Sequence, residues 1–361
     1  MQFSEILFGL TALIFAGLVT FALTPIAQLL SYKFGAIDVP KDNRRMHTDS
    51  IPLLGGLAVF FAFAVTVLLF GELSPTLSAI LIGGSVIVIC GVLDDSFDLP
   101  PFVKLLFQIA AAGVAVLFGV RIDFLSFFGS QYLNFGAWNL LVTFGWIVIL
   151  TNAFNLIDGL DGLACGVSAI SSLSLLAIAC VMSDSQIALI TAILVGSCLG
   201  FLPFNFFPAK IFIGDTGAMF LGYTLSILSI QGLFKTHVIF AFLAPFAIFA
   251  LPLFDTFFAF FRRLFAGKNP FKGDRGHIHH RLIDLGFSHK QSVCILYAVC
   301  GIFGASSVAL VFLGLMKAFF VVGIGVLILG ANYLIAEKHI LRQEREAEKE
   351  KEKEASAKTD H

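Results

Sequence analysis

Long apolar runs separated by short polar segments fill most of this chain. The runs lie near 6–30, 53–70, 77–93, 103–119, 138–152, 163–181, 186–203, 216–233, 238–261, 291–313 and 318–336. Each approaches the roughly 20 apolar residues that a helix needs to cross a hydrocarbon core. The pattern therefore predicts an all-α polytopic membrane protein with about eleven transmembrane helices. Segment 121–136 is too short and polar to span. Its alternation of Ile122, Phe124 and Phe127 with Tyr132 and Phe135 predicts a small β-hairpin on the outer face. From Glu337 onward the chain turns to Glu, Lys, Arg and Ala, as in a solvated helix or a disordered tail without a catalytic role. The expected organisation is a transmembrane catalytic domain over 1–336 and a charged cytoplasmic tail over 337–361.

Composition supports this picture: 58% hydrophobic and 13% charged residues exclude an ordinary soluble domain. The net charge of −1 says little about partners, but the placement of charge says more. With the Arg44/Arg45 loop inside and the spans alternating, only Arg121, Lys235 and Lys317 fall outside, and the other twenty Lys and Arg fall inside. The positive-inside rule then predicts an outer N-terminus and a cytoplasmic C-terminus. All six cysteines lie in apolar runs with no C-x-x-C spacing, so neither a disulfide framework nor a zinc site is expected. The first run lacks a basic leader and a small-residue cleavage site, and is read as a retained span.

Five polar clusters fall at the cytoplasmic ends of these runs. The densest is Asn152-Ala-Phe-Asn155-Leu-Ile-Asp158-Gly-Leu-Asp161-Gly162. Charge beside a bilayer is costly, so such residues are functional candidates. Carboxylate and amide oxygens together suit a hard cation such as Mg²⁺, and Mg²⁺ points to phosphate chemistry. A second cluster runs from Asp38 through Arg44, Arg45 and His47 to Gly55-Gly56. It fits a phosphate grip or a basic anchor on anionic lipid headgroups.

The third cluster is Asp94-Asp95-Ser-Phe-Asp98, with Lys104 following. Adjacent carboxylates persist where a cation or proton offsets their repulsion. The fourth is Phe212-Ile-Gly214-Asp215-Thr-Gly217. Its glycines would let backbone approach a ligand. Asp215 is a natural N-cap, and the free amides of the helix start favour a phosphate. The fifth is Gly273-Asp274-Arg275-Gly-His277-Ile-His279-His280-Arg281. Metal ligation lacks a completing carboxylate or thiolate, and burial is not expected in so basic a loop. Anion binding is the preferred reading.

In this order, Asp94-Asp95, Asn152-x-x-Asn155-x-x-Asp158-Gly-x-Asp161-Gly162-Leu163, Phe212-x-Gly214-Asp215-x-Gly217 and His277-Ile-His279-His280-Arg281 resemble the polyprenyl-phosphate N-acetylhexosamine-1-phosphate transferases. The match covers about 35 to 290. The Asp-Arg-Gly-His-Ile-His-His-Arg-Leu loop looks like the GlcNAc-1-phosphate branch rather than the phospho-MurNAc-pentapeptide branch, which carries three consecutive histidines. The eukaryotic dolichol enzymes typically carry Asn where this chain has Asp161, so a bacterial inner-membrane protein is implied.

The resemblance implies transfer of GlcNAc-1-phosphate from UDP-GlcNAc to undecaprenyl phosphate on the cytoplasmic face, with release of UMP. This step starts a lipid-linked polymer such as O-antigen or a teichoic acid linkage unit. Mg²⁺ is the implied cofactor, with Mn²⁺ a substitute, and Asp215 and Asn155 are its implied ligands. Asp94 and Asp95 are assigned to the lipid phosphate, one as a base. Asp161 and Asn205 are assigned to the uracil edge, Phe212 to base stacking, and Asp158 to ordering the metal site. His277, His279, His280 and Arg281 would grip the diphosphate, and Lys104, Arg44 and Arg45 would hold phosphate charge. His47 and Asn152 complete the substrate-binding set. A homodimer is suggested by analogy, and no nucleic-acid partner is expected. Two alternatives stand beside this reading: another UDP-N-acetylhexosamine donor (GalNAc, QuiNAc or FucNAc), and, from another class, a secondary transporter. Transporter sites lie near the midplane on broken, repeat-related helices, whereas these acids gather at helix ends.

Overall fold

The computed structural model describes residues 2–38, 50–126, 132–234, 243–267 and 276–328. The long helices are α1 (Phe3–Phe34), α2 (Gly55–Phe70), α3 (Pro75–Phe97), α4 (Pro101–Leu117), α5 (Asn139–Ile157), α6 (Leu163–Val181), α7 (Ser185–Asn205) and α8 (Gly214–Ser229). They are followed by α9 (Leu243–Ile248), α10 (Ala250–Phe265), α11 (Ile278–Asp284), α12 (His289–Leu313) and α13 (Leu315–Ile328). Among the described residues, seven helical segments are long and apolar enough to cross a membrane: α1, α3, α5, α6, α7, α12 and Gly214–Phe234, which begins with α8. Helices α2, α4 and α13 are shorter and apolar. Two short antiparallel pairs accompany them. Strand β1 (Ile37–Asp38) pairs with β2 (Ile51–Pro52), and β3 (Phe124–Ser126) pairs with β4 (Tyr132–Asn134).

Helix α8 forms the centre. It is apolar or small-sided on every face, and a helix of that kind must be enclosed; every residue from Gly214 to Ser229 except Asp215 is buried. Glycine makes the enclosure close. Gly56 on α2 lies against Gly217, and Gly91 on α3 lies against Thr216, so a Cβ at either place would overlap backbone. Deeper in, the Tyr223 hydroxyl lies 3.0 and 3.1 Å from the carbonyls of Ala79 and Ala111, and Trp146 Nε1 donates to Ser229 Oγ at 3.0 Å. These bonds pin α8 to α3, α4 and α5, which carry the polar clusters at their ends.

The run at 238–261 was expected as one span, but within its described part the helix breaks at Phe249, between α9 and α10. Pro252 is the cause: it has no N–H to give to the Ile248 carbonyl, and its ring crowds that position. The Ser171 hydroxyl on α6 reaches the freed Ile248 oxygen instead, at 3.4 Å, as apolar surroundings require. Helix α5 also runs five residues past the expected end at 152, so Asn152 and Asn155 stand on its last turns, one helical turn apart.

Candidate active site

The cluster is built where α3 ends and α4 and α8 begin. Lys104 Nζ sits between two acids, 2.8 Å from Asp94 Oδ2 and 2.8 Å from Asp215 Oδ2. The Asn155 carboxamide lies beside the Asp215 side chain. Four residues from four helices therefore meet at one point. The remaining Asp94 oxygen accepts the Leu99 amide at 2.8 Å, which closes the turn between α3 and α4.

Asp95 faces elsewhere. Its oxygens accept the Asp215 amide at 2.9 Å, the Thr216 amide at 3.1 Å and the Thr216 hydroxyl at 2.6 Å. It thus satisfies the first amides of α8, a role usually taken by a capping side chain of the same segment. Two expectations change here. Asp215 is not the N-cap, since Ile213 holds that position. The helix-start amides are occupied by Asp95, so they are not a free phosphate cradle. The glycines of this segment serve packing: Gly214 has φ +64°, and Gly217 lies against Gly56. The turn is tied to the β2 segment through Phe212 N to Pro52 O (2.8 Å) and Gly56 N to Ile213 O (2.9 Å).

A layer of amides lies one turn deeper. Gln108 follows Lys104 by four residues on α4 and exchanges hydrogen bonds with Asn152, at 2.6 and 3.3 Å. Asn152 also donates to the Val148 carbonyl at 2.8 Å. Asn152 is therefore held by Gln108 beneath the Lys104 cluster.

Asp158 and Gly159 lead out of α5 toward a second group. Burial, followed by the charges of Asp215, Asp95 and Asp161, pushes the Asp158 carboxyl well above the usual carboxylate range. Gly159 lies directly against the His279 imidazole, leaving no room for a Cβ. His277 and His279 are both buried, at 7% and 3% exposure, contrary to the expectation for a basic loop. The reason is Asp255, a buried acid on α10. Its carboxylate lies 2.8 Å from His277 Nδ1 and accepts the Ile278 amide at 2.8 Å. Arg262, two turns along α10, donates to the Gly276 carbonyl at 2.6 Å. The rings of His277, His279 and His280 then follow one another at 5.7 and 4.3 Å, and the Arg281 guanidinium lies 4.9 Å from the centre of the exposed Phe258 ring. His279 Nδ1 is buried with no hydrogen-bond partner among the described residues. Burial, and then His280, push the His279 imidazole down to about 3.

Asp161 is a junction between loops. Its Oδ2 accepts the Ala209 amide at 2.9 Å, and its own amide donates to His289 Nε2 at 2.9 Å. Phe207 stacks on His289 at 4.6 Å. Asn205 is buried and donates to the Ile211 carbonyl at 3.1 Å, and its Oδ1 has no hydrogen-bond partner among the described residues. Phe212 is half-buried between Ile211 and the start of α8. Arg44, Arg45 and His47 lie outside the described residues.

Sequence reading passed over Gln108, Asp255, Arg262 and His289. Gln108 and Asp255 had a signal, each being a lone polar side chain inside an apolar run. His289 stands alone at a helix start and carried none.

Seven helical segments long and apolar enough to cross a bilayer define a multi-pass membrane protein, with acids, amides and histidines gathered at helix ends. Residues 77–233 match the family model described as glycosyl transferase family 4. The chain is 42% identical over 303 residues to a probable undecaprenyl-phosphate N-acetylglucosaminyl 1-phosphate transferase of Bacillus subtilis, covering 83% of this chain and 84% of the relative. It is 35% identical over 339 residues to the decaprenyl-phosphate N-acetylglucosaminephosphotransferase of Mycolicibacterium smegmatis (83% and 81% covered). It is 32% identical over 284 residues to an undecaprenyl-phosphate alpha-N-acetylglucosaminyl 1-phosphate transferase of Escherichia coli K12 (75% of each). The chain belongs to glycosyl transferase family 4.

Proposed function

We propose that this protein transfers GlcNAc-1-phosphate from UDP-GlcNAc to undecaprenyl phosphate at the cytoplasmic face of a bacterial inner membrane. A lipid phosphate oxygen bonds to the sugar-linked β-phosphorus, the bond from that phosphorus to the bridging oxygen breaks, and UMP leaves with the electron pair. The names of the relatives support the acceptor and the sugar. The observation that carries the reading is the meeting of Asp94, Lys104, Asn155 and Asp215 at the helix ends.

Both reacting groups are anionic phosphates, so positioning and charge neutralisation dominate catalysis. Lys104 already bridges two carboxylates, which marks this point as one that demands positive charge. Asp215 and Asn155 fit Mg²⁺, or Mn²⁺ in its place, because a site with few protein oxygens leaves room for substrate phosphates and water. When bound there, the ion would neutralise charge on the diphosphate. Lys104 would hold phosphate oxygens beside it. Asp94, which closes the turn next to Lys104, is the acid assigned to the lipid phosphate. A strong base is not required, since a phosphate monoester with a second pKa of about 6 is largely dianionic at neutral pH. Asp95 keeps the start of α8, and so Asp215, in place. His280 and Arg281 are assigned to the diphosphate, with Asp255 holding the loop that presents them.

Sidedness is supported by charge. Among the described residues, Lys33, Lys104, Lys210, Arg262, Arg263, Arg281 and Lys290 lie toward the site end, and Arg121 and Lys317 toward the other. The test is UMP release and lipid-linked product from purified protein, Mg²⁺, undecaprenyl phosphate and UDP-GlcNAc, with UDP-GalNAc, UDP-QuiNAc and UDP-FucNAc in parallel. A faster rate with another donor would change the sugar. No lipid-linked product with any donor would end the proposal.

A further inference from the structure

The turn from α5 into α6, Asp158–Gly162, is held at three points by one later stretch of chain. The His279 imidazole on α11 lies directly against Gly159. Further along, His289 opens α12, and its Nε2 lies 2.9 Å from the Asp161 amide nitrogen. A backbone N–H only donates, so Nε2 accepts and is the unprotonated ring nitrogen. Asp161 Oδ1 lies 3.7 Å from the same nitrogen. Phe207 stacks on the His289 ring at 4.6 Å and supports its plane.

Two turns along α12, Tyr297 supplies the third point. Its hydroxyl donates to the Gly162 carbonyl at 2.5 Å. That carbonyl also accepts the Gly166 amide at 2.9 Å, in the first turn of α6. The Tyr297 ring fits because Gly166 has no side chain; a Cβ there would overlap it. Gly162 has φ +79°, which glycine adopts without strain. Helix α12 therefore holds an N–H and a C=O on consecutive residues, Asp161 and Gly162. The Asp161 carboxylate is tied separately, to the Ala209 amide.

We infer that His289 and Tyr297 are positioning residues for the nucleotide. They fix the backbone of Asp161 and Gly162, and with it the place of the Asp161 side chain. The inference rests on the reading of Asp161 as a contact to the uracil edge. Both residues act through this turn rather than on the substrate. Loss of either hydrogen bond lowers the share of protein whose turn is ready to bind, and apparent affinity falls by that share.

The test is steady-state kinetics with UDP-GlcNAc and undecaprenyl phosphate varied in turn, beside equilibrium binding of UMP. His289→Leu removes the acceptor, His289→Gln offers an amide oxygen in its place, and Tyr297→Phe removes only a hydroxyl. His289→Leu should raise KM for UDP-GlcNAc and weaken UMP binding by roughly tenfold, and Tyr297→Phe by roughly threefold, as for one lost hydrogen bond. In both, kcat and the KM for undecaprenyl phosphate should stay within about twofold. His289→Gln should recover most of the loss. An unchanged KM for UDP-GlcNAc in both His289→Leu and Tyr297→Phe would overturn the inference. So would a fall in kcat with both KM values unmoved, or an equal loss in His289→Gln and His289→Leu. If the unmodified protein turns over and binds UMP while the variants match it, this inference alone fails. If the unmodified protein neither turns over nor binds UMP, the transferase reading fails and this inference with it.

Discussion

Asp95 on α3 caps α8 across the helix interface: it accepts the amides of Asp215 and Thr216 and the Thr216 hydroxyl. Its neighbour Asp94 points instead to Lys104. Two adjacent carboxylates therefore have separate duties, one architectural and one facing the site. Successive helical positions lie about 100° apart, which is what turns them to different neighbours.

Asp95→Asn and Asp94→Asn should separate these duties. An amide at 95 has one acceptor oxygen and loses the charge-assisted bonds, so stability should fall by about 1–3 kcal/mol, with activity falling alongside. Asp94→Asn should keep its melting temperature to within a few degrees and lose at least about tenfold in UMP release. Thermal unfolding in detergent and UMP release, measured on both variants, check the assignment. Equal destabilisation by the two would remove the distinction.

Lys104 and the metal assignment share an oxygen, Asp215 Oδ2. If both use it, Lys104→Met should lower the Mg²⁺ concentration for half-maximal rate, because one positive competitor is gone. The same change should lower kcat by about 100-fold through lost charge neutralisation. Titration of Mg²⁺ against UMP release reads both. An unchanged half-maximal Mg²⁺ concentration would show that the lysine and the ion do not compete.

Much of this was legible in the sequence. Seven of the eleven apolar runs hold helices long and apolar enough to cross a membrane, because a helix in lipid must be apolar for about twenty residues. The acids beside them stood out because charge there is costly. The capping role of Asp95 was not legible, since it depends on how α3 meets α8 and on Gly91 letting Thr216 approach. The break at Phe249 could have been read from Pro252, but its tolerance rests on Ser171 from a helix far away in sequence. The burial of His277 likewise depends on Asp255, whose partner is 22 residues on. Local pattern identifies which residues are costly, while tertiary contact decides what each one touches.

Asp255 offers a third test. Asp255→Ala leaves the His277 ring nitrogen and the Ile278 amide without their acceptor in a buried setting, and losses of that kind cost about 1–3 kcal/mol per group. The loop carrying His280 and Arg281 should loosen, raising KM for UDP-GlcNAc more than it lowers kcat. Asp255→Glu, which keeps an acceptor, should recover part of the loss. A fall in kcat at unchanged KM would place Asp255 nearer the chemistry than the loop.

The His279 environment gives a pH dependence whose sign can be worked out. Burial and the neighbouring His280 hold its imidazole down to about 3, against an ordinary value of about 6.5 for the unfolded chain. Between these values the unfolded chain binds a proton that the folded chain refuses. This contribution is therefore complete above about pH 6.5 and is lost as pH falls toward 3, by at most about 1.4 kcal/mol per unit. His279→Gln removes the titrating group while keeping a polar side chain against Gly159. Melting curves taken from pH 8 to pH 5 without nucleotide should fall more steeply for the unmodified protein than for the variant. Parallel curves would mean that His279 takes up its proton in the folded state, which requires an acceptor that its buried Nδ1 does not have among the described residues.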